Sequence, residues 1–294
     1  MSKAYKSEIR VDAFDKVTGR TKYYEDMIPA EALYVRIKHA EIAHGYVKKI
    51  DTEAAEKIPG VVKVLTCFDV PDRPFPTAGH PWSMDPSHQD VADRLLLNQH
   101  VRYWGDDIAV VIAEDEVSAS QGISALKVEY EELPFVLDVL KAMEPGAPQL
   151  HEKYPNNILK HTSMTKGDYK KAIEEPGLIK VEGWYDTPTV QHCHIENHGC
   201  FAYEENGRMT VVTSTQIPHI IRRVVGQALG RPWATSALSN LTSAAASEIS
   251  RMLCTSRSAH GAVLRSAAGL SGSSARARKH LSPTESVTRC ASIW

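Results

Sequence analysis

At 294 residues the chain is long enough for one large domain or two small ones. Its 43% apolar and 24% charged residues suit a globular protein. A net charge of -2 excludes a strong bulk attraction to nucleic acid or to an anionic membrane. The start, Met1 to Glu8, has no apolar signal core, and no stretch is apolar for long enough to span a bilayer, so a cytoplasmic location is expected. The five cysteines are Cys67, Cys193, Cys200, Cys254 and Cys290, an odd number with no Cys-x-x-Cys spacing. That argues for scattered, reduced thiols and against a disulfide framework, a zinc knuckle or an iron–sulfur site.

Residues 1–15 read as a polar extension. Leu33 to Ile37 alternates apolar and polar side chains as a half-buried strand does, and Tyr46 to Ile50 fits a second strand. Asp51 or Thr52 can cap a short helix through Ile58, which Pro59-Gly60 ends before a strand at Val61 to Leu65. The segment from Asp69 to Asp93 is rich in Pro, His, Asp and Ser and reads as a long loop, either an interface segment or a solvated excursion. Ile108 to Ala113 is nearly continuous in apolar residues, which predicts a buried strand. Asp115 can cap a helix to about Ala125, and Leu126 to Tyr130 gives another strand. Repeated strand–helix–strand units predict an α+β domain over 16–138. Residues 139–165, with Pro145-Gly146-Ala147-Pro148 and Pro155-Asn156-Asn157, read as a linker.

A second domain is expected over 166–233. Ile179 to Tyr185 is a strand candidate. Gly199 to Tyr203 and Thr210 to Thr213 flank Asn206-Gly207, a tight-turn dipeptide, and read as a hairpin. Ile220, Ile221, Val224, Val225, Ala228 and Leu229 then recur at helical spacing, with Gly230 at the C-cap position. Ser214 or Thr215 can cap that helix and Pro218 suits its first turn, so Gln216 falls at a strand-to-helix junction. Such a junction presents side chains and helix N–H groups to a ligand, although a Gln there also serves simply to solvate a turn.

Other polar groups invite chemistry less. In Gln191 to His198, His192 and His194 share one face of a strand and His198 can join them. A metal site and ordinary polar packing are both open to these residues. The pairs Asp106-Asp107, Glu131-Glu132 and Glu204-Glu205 are adjacent, so on a strand they point to opposite faces and form no carboxylate dyad; solvated strand-end charges are expected. Gly226-x-x-x-Gly230 does not follow a phosphate-loop pattern.

Several separated words stand in the order of one family. They are Val17-Thr18-Gly19, Ala43-His44-Gly45, Ile58-Pro59-Gly60-Val61, Val101-Arg102-Tyr103 with Gly105, and Leu133-Pro134. The series continues with Thr187-Pro188, Gln191-His192, Ile195-Glu196, Ser214-Thr215-Gln216 with Pro218-His219, and Leu229-Gly230 with Pro232. Over about residues 10–233 the chain resembles the molybdenum-binding large subunit of the xanthine dehydrogenase and aldehyde oxidase family. The resemblance implies an α+β architecture, an α/β hammerhead domain followed by the truncated start of a molybdopterin-binding domain. It implies hydroxylation of a purine, other heterocycle or aldehyde with water-derived oxygen. Electrons would pass to [2Fe–2S] clusters and FAD carried on partner subunits. It also implies that Gln216 lies beside the molybdenum ligands as a cofactor-positioning amide, and that the pterin dithiolene, not protein side chains, holds the metal, which favours polar packing for the histidine cluster. No residue of this chain answers to the family's catalytic base.

After Trp233 the character changes. Residues 234–294 contain no Tyr, Phe or Asp, and carry seven Lys or Arg against two Glu, near +5 against about -7 for the rest. Where the family continues with Gly-Gly-Gly-Phe-Gly, this chain has Asn240 to Met252. Codons permitted for those residues, read one nucleotide earlier, allow Lys-Pro-Tyr-Ile-Gly-Gly-Gly-Phe-Gly. A frame change beside the Trp233 codon would therefore leave 234–294 as an unselected, disordered tail, and the chain inactive alone. The alternative is a non-enzymatic interaction module with a flexible basic tail.

Overall fold

The structure is a computed structural model that describes residues 8–76, 92–159, 161, 163–188, 199–205, 208–213, 215, 217–230, 232, 236–240 and 287–291. Contacts divide the chain into two units, residues 1–135 with 194–294, and residues 136–193.

In the larger unit the short helix α1 (Ala13–Val17) precedes strands β1 (Leu33–His39) and β2 (Gly45–Asp51). Helix α2 (Glu53–Glu56) leads to β3 (Val61–Thr66), then β4 (His100–Val101) and β5 (Asp107–Ala113). Helix α3 (Glu116–Ala125) returns to β6 (Lys127–Glu132). The smaller unit holds α4 (Val139–Ala142) and α5 (Tyr169–Ile173). The larger unit resumes with the hairpin β7 (Gly199–Glu205) and β8 (Arg208–Thr213), helix α6 (Pro218–Leu229), β9 (Ser236–Asn240) and β10 (Val287–Ala291).

Strands β1, β2, β3, β5 and β6 and helices α2 and α3 follow the sequence expectation because each carries its own signal, whereas α1 and β4 were not anticipated. All seven residues of β5 are buried, as its unbroken apolar run predicts. Asp115 caps α3, its carboxylate accepting from Ser118 N at 2.8 Å and from Ser118 Oγ at 2.7 Å. Asp115→Ala should therefore lower Tm by a few degrees, since it removes the helix cap. Thr52 gives the short α2 no side-chain cap to its backbone; its Oγ1 donates to Glu56 Oε1 at 2.9 Å, and Asp51 Oδ1 accepts from Glu53 N at 3.1 Å.

One sheet runs β3-β5-β1-β10-β7-β8-β9, and a smaller one runs β4-β2-β6. The main core lies against the large sheet. It joins Val35, Leu65 and Ile112 to Val211, Ile221 and Val225, so the hammerhead strands and the β7–β8–α6 segment share one apolar interior. The small sheet closes at a polar joint. His44 Nδ1 donates to the Pro134 carbonyl at 2.7 Å, since a carbonyl only accepts, and its Nε2 shares a hydrogen bond with His100 Nε2 at 3.1 Å. Tyr46 stacks on His100 with ring centroids 4.4 Å apart. Two of the quoted words, Ala43-His44-Gly45 and Leu133-Pro134, thus meet in space.

Three expectations need correction. Ile179 to Tyr185 forms no strand; the segment has no regular structure, and Trp184 and Tyr185 are 88% and 89% exposed. A strand exists only when a neighbour accepts its backbone bonds, and among the described residues this one has no such neighbour. Asp106 and Asp107 are not solvated but buried, at 2% and 7% exposure, with Asn98 bonded to the Asp106 carboxylate and to the Asp107 carbonyl. Thr215 does not cap α6: its N-cap is Ile217, without a side-chain bond. Of residues 234–294 only 236–240 and 287–291 are described: β9 pairs parallel with β8, and β10 lies between β1 and β7. Backbone pairing depends little on side-chain identity, so an open strand position in a sheet can be filled by a segment of indifferent composition. The Asn206-Gly207 turn and most of the Pro-rich 69–93 loop lie outside the described residues.

Candidate cofactor-facing site

The junction between β8 and α6 is built by two threonines. Thr213 ends β8 fully buried and donates through Oγ1 to the Gly199 carbonyl at 3.1 Å, which pins the end of β8 to the start of β7. Thr215 is buried at 1% exposure, and its Oγ1 accepts from Ile217 N at 3.1 Å. That bond turns the chain into α6 one residue ahead of Pro218. Helix α6 is held by Ile221, Val224, Val225 and Ala228, all buried. It ends at Gly230 with φ +64, a left-handed conformation in which the Gly230 N–H reaches the Gln227 and Gly226 carbonyls. Gln227 Nε2 donates to the Pro74 carbonyl at 2.9 Å, fixing the helix to the 71–76 segment.

The start of α6 has no capping side chain, and its first turn carries no carboxylate. The partial positive charge of a helix start is thus neither capped nor neutralised by its own residues, an arrangement compatible with an electron-rich neighbour. Ser214 and Gln216 lie outside the described residues, as does the Gln191 to His198 cluster. Among the described residues no group of three or more His, Cys, Asp or Glu is placed to hold a metal ion, and no helix is long and apolar enough to cross a membrane.

A second polar convergence escaped the sequence reading. Asp106 Oδ1 accepts from Asn98 Nδ2 at 2.7 Å and from Asp107 N at 3.1 Å, while Oδ2 accepts from Arg102 N at 3.3 Å. Burial raises its pKa from 3.8 to about 6, and the neighbouring Asp107 adds to the rise; the Arg102 N–H and the Arg94 charge oppose it. The Arg94 guanidinium lies over the Tyr103 ring, 5.1 Å from its centroid. The available signal was Gly105, whose φ of +92 marks a tight turn that carries the following carboxylate inward. Burial also pushes the Cys67 thiol up to about 12, so it stays a thiol at neutral pH, as expected of an inert cysteine.

Residues 18–134 match the aldehyde oxidase and xanthine dehydrogenase a/b hammerhead domain, and residues 150–236 match the molybdopterin cofactor-binding domain. The chain belongs to the aldehyde oxidase and xanthine dehydrogenase family. It is 44% identical over 226 residues to the xanthine dehydrogenase molybdenum-binding subunit of Escherichia coli O157:H7, a match covering 76% of this chain and 30% of that protein. The aldehyde oxidoreductase of Desulfovibrio desulfuricans superposes with a TM-score of 0.68 at 28% identity, over 79% of this chain and 26% of that one. Quinoline 2-oxidoreductase from Pseudomonas putida 86 shares the fold, with a TM-score of 0.75 at 22% identity over 98% of this chain and 34% of that one. The chain therefore spans about a third or less of each of these three proteins.

Proposed function

We propose that the chain is the N-terminal part of the molybdenum-binding subunit of a xanthine dehydrogenase-like hydroxylase, separated from its remaining sequence by a change of reading frame beside the Trp233 codon. The carrying observation is the coincidence of two limits. The cofactor-binding domain match stops at residue 236, and the composition of the chain breaks at 234. The whole enzyme of this reading is cytoplasmic and hydroxylates a purine, another heterocycle or an aldehyde. Its partners are an FAD-binding subunit and a [2Fe–2S] subunit, and neither nucleic acid nor membrane is among its ligands.

In that reading Gln216 would hydrogen-bond through its side-chain amide to the ligands of a bound molybdenum cofactor and orient that group. When bound, the cofactor supplies the metal centre for hydroxylation. The residues of this chain do only the holding: Thr213 and Thr215 set the turn between β8 and α6. With no base for proton removal and no substrate-orienting loop, the chain alone is expected to be inactive. Purified chain should contain far less than one molybdenum per polypeptide and show no substrate-dependent dye reduction. Near-stoichiometric metal or turnover would overturn this.

A second reading keeps the tail as genuine sequence and makes the chain a non-enzymatic interaction module. The pairing of β9 and β10 into the large sheet favours it. The nucleotide sequence downstream of the Trp233 codon separates the two. A restored Gly-Gly-Gly-Phe-Gly frame on insertion of one base supports the subunit, and codons that forbid it support the module.

A further inference from the structure

The small sheet brings together two imidazoles that the subunit reading does not use. His44 stands just before β2 and His100 opens the edge strand β4, and the two strands pair through Gly45 with Val101 and Tyr46 with His100. The Nε2 atoms face each other at 3.1 Å, with ring centroids 5.3 Å apart and ring planes 26° apart. Each ring is also held from outside the pair. His44 is 5% exposed and its Nδ1 donates to the Pro134 carbonyl at 2.7 Å. His100 is half-buried and stacks on Tyr46.

An Nδ1–H bonded to a backbone carbonyl is the arrangement that fixes the tautomer of a metal-ligating histidine. In its neutral form the His44 ring therefore presents Nε2 as a lone-pair donor. Two imidazole nitrogens, each ~2.0–2.1 Å from one ion, stand about 2.9–3.4 Å apart for bond angles between a right angle and the tetrahedral one. The observed separation falls within that span. A proton now lies between the two nitrogens, and an ion would take its place, releasing it to solvent. Two neutral nitrogens suit Zn(II), Ni(II) or Cu(II) and not the oxygen-seeking Mg(II) or Ca(II). Among the described residues no third His, Cys, Asp or Glu completes a group with them, so water fills the other positions of the ion. The Arg102 guanidinium opposes a cation here, but its Nη1 donates to the His100 backbone carbonyl at 3.5 Å, and the charges of Asp106 and Asp93 act on it.

We propose that His44 and His100 form a two-histidine clamp for a divalent transition-metal ion, which ties β4 to β2 across the small sheet. This does not rest on the subunit reading above.

The test uses the full chain without a polyhistidine tag, stripped of metal and titrated with Zn(II), with Cu(II) as the spectroscopic probe. An ion that binds only the folded chain raises Tm as its concentration rises. The expected result is a Tm increase of several degrees in excess Zn(II), and at one equivalent of Cu(II) an electron paramagnetic resonance spectrum split by two imidazole nitrogens. His100→Phe keeps a ring against Tyr46 but removes the nitrogen, and should weaken Zn(II) binding at least roughly tenfold. No Tm increase, an increase of the same size in His100→Phe, or a Cu(II) spectrum without two nitrogens would overturn the clamp. If His100→Phe does not fold, the imidazole NMR signals of the parent chain decide. Substoichiometric Cu(II) should broaden those of His44 and His100 first, and earlier broadening of other histidines would place the ion elsewhere and overturn the proposal.

Discussion

Gly45→Ala should remove most of the folded protein from solution. Gly45 opens β2 with φ +155, and a Cβ there would run into the Glu131 backbone carbonyl of the paired strand and come within 2.8 Å of Ile42 Cδ1. The obstruction is backbone on one side and a buried side chain on the other, so neither can yield cheaply. The strained φ adds its own penalty. A loss of about 3–5 kcal/mol is expected, a large share of the stability of an ordinary domain. Gly19→Ala is the comparison. Gly19 also has a positive φ, +70, but nothing lies within 4 Å of its would-be Cβ, so only the backbone penalty of about 1 kcal/mol applies. Soluble yield and thermal midpoint distinguish the two. Equal behaviour would mean that β2 and β6 do not approach as closely as the structure has them.

The second large effect is at Asp106. Asp106→Ala strands the Asn98 amide and the Asp107 N–H in a buried turn, with an expected loss of about 2–4 kcal/mol. Asp106→Asn should behave differently, because its carbonyl oxygen can keep both of those donors and gives up only the longer Arg102 contact. The two variants also separate through pH. The folded pKa of about 6 stands above the ordinary 3.8, so between those values the folded state binds the extra proton and the unfolded state does not. The contribution of this group is therefore most favourable below about pH 4, falls as pH rises to about 6, and is level beyond, with a span on the order of 2–3 kcal/mol. Chemical denaturation from pH 4 to 7 should show that decline in the parent chain and lose it in Asp106→Asn. A decline of the same size in the variant would assign it to another group.

Both effects concern residues whose importance the sequence showed unevenly. Gly45 was legible as part of Ala43-His44-Gly45, a family word, but the reason for glycine there lies in β6, about 85 positions away. Asp106-Asp107 looked like a solvated pair beside a strand, since an adjacent acidic pair near a turn usually is. Their burial depends on Asn98 and Arg102 being folded back over them, which no local pattern encodes. At the candidate site the helix, its C-cap and the strand before it were legible. The capping role assigned to Thr215 was not fulfilled, because its hydroxyl serves the turn at Ile217 before the helix begins.

The sequence by itself determined the elements that carry their own periodicity or punctuation. These are the apolar run of β5, the Asp115-capped α3, the β7–β8 hairpin strands, the amphipathic α6 with Gly230, and the ordered words that mark the family. Only the tertiary structure decided which strands find partners. Ile179 to Tyr185 has strand composition yet lies exposed and irregular, whereas Val287 to Ala291, without a strand signal of its own, occupies the centre of the sheet. The physical reason is that periodicity is a property of neighbouring residues, whereas pairing and burial are settled by backbone donors and acceptors brought together from distant parts of the chain.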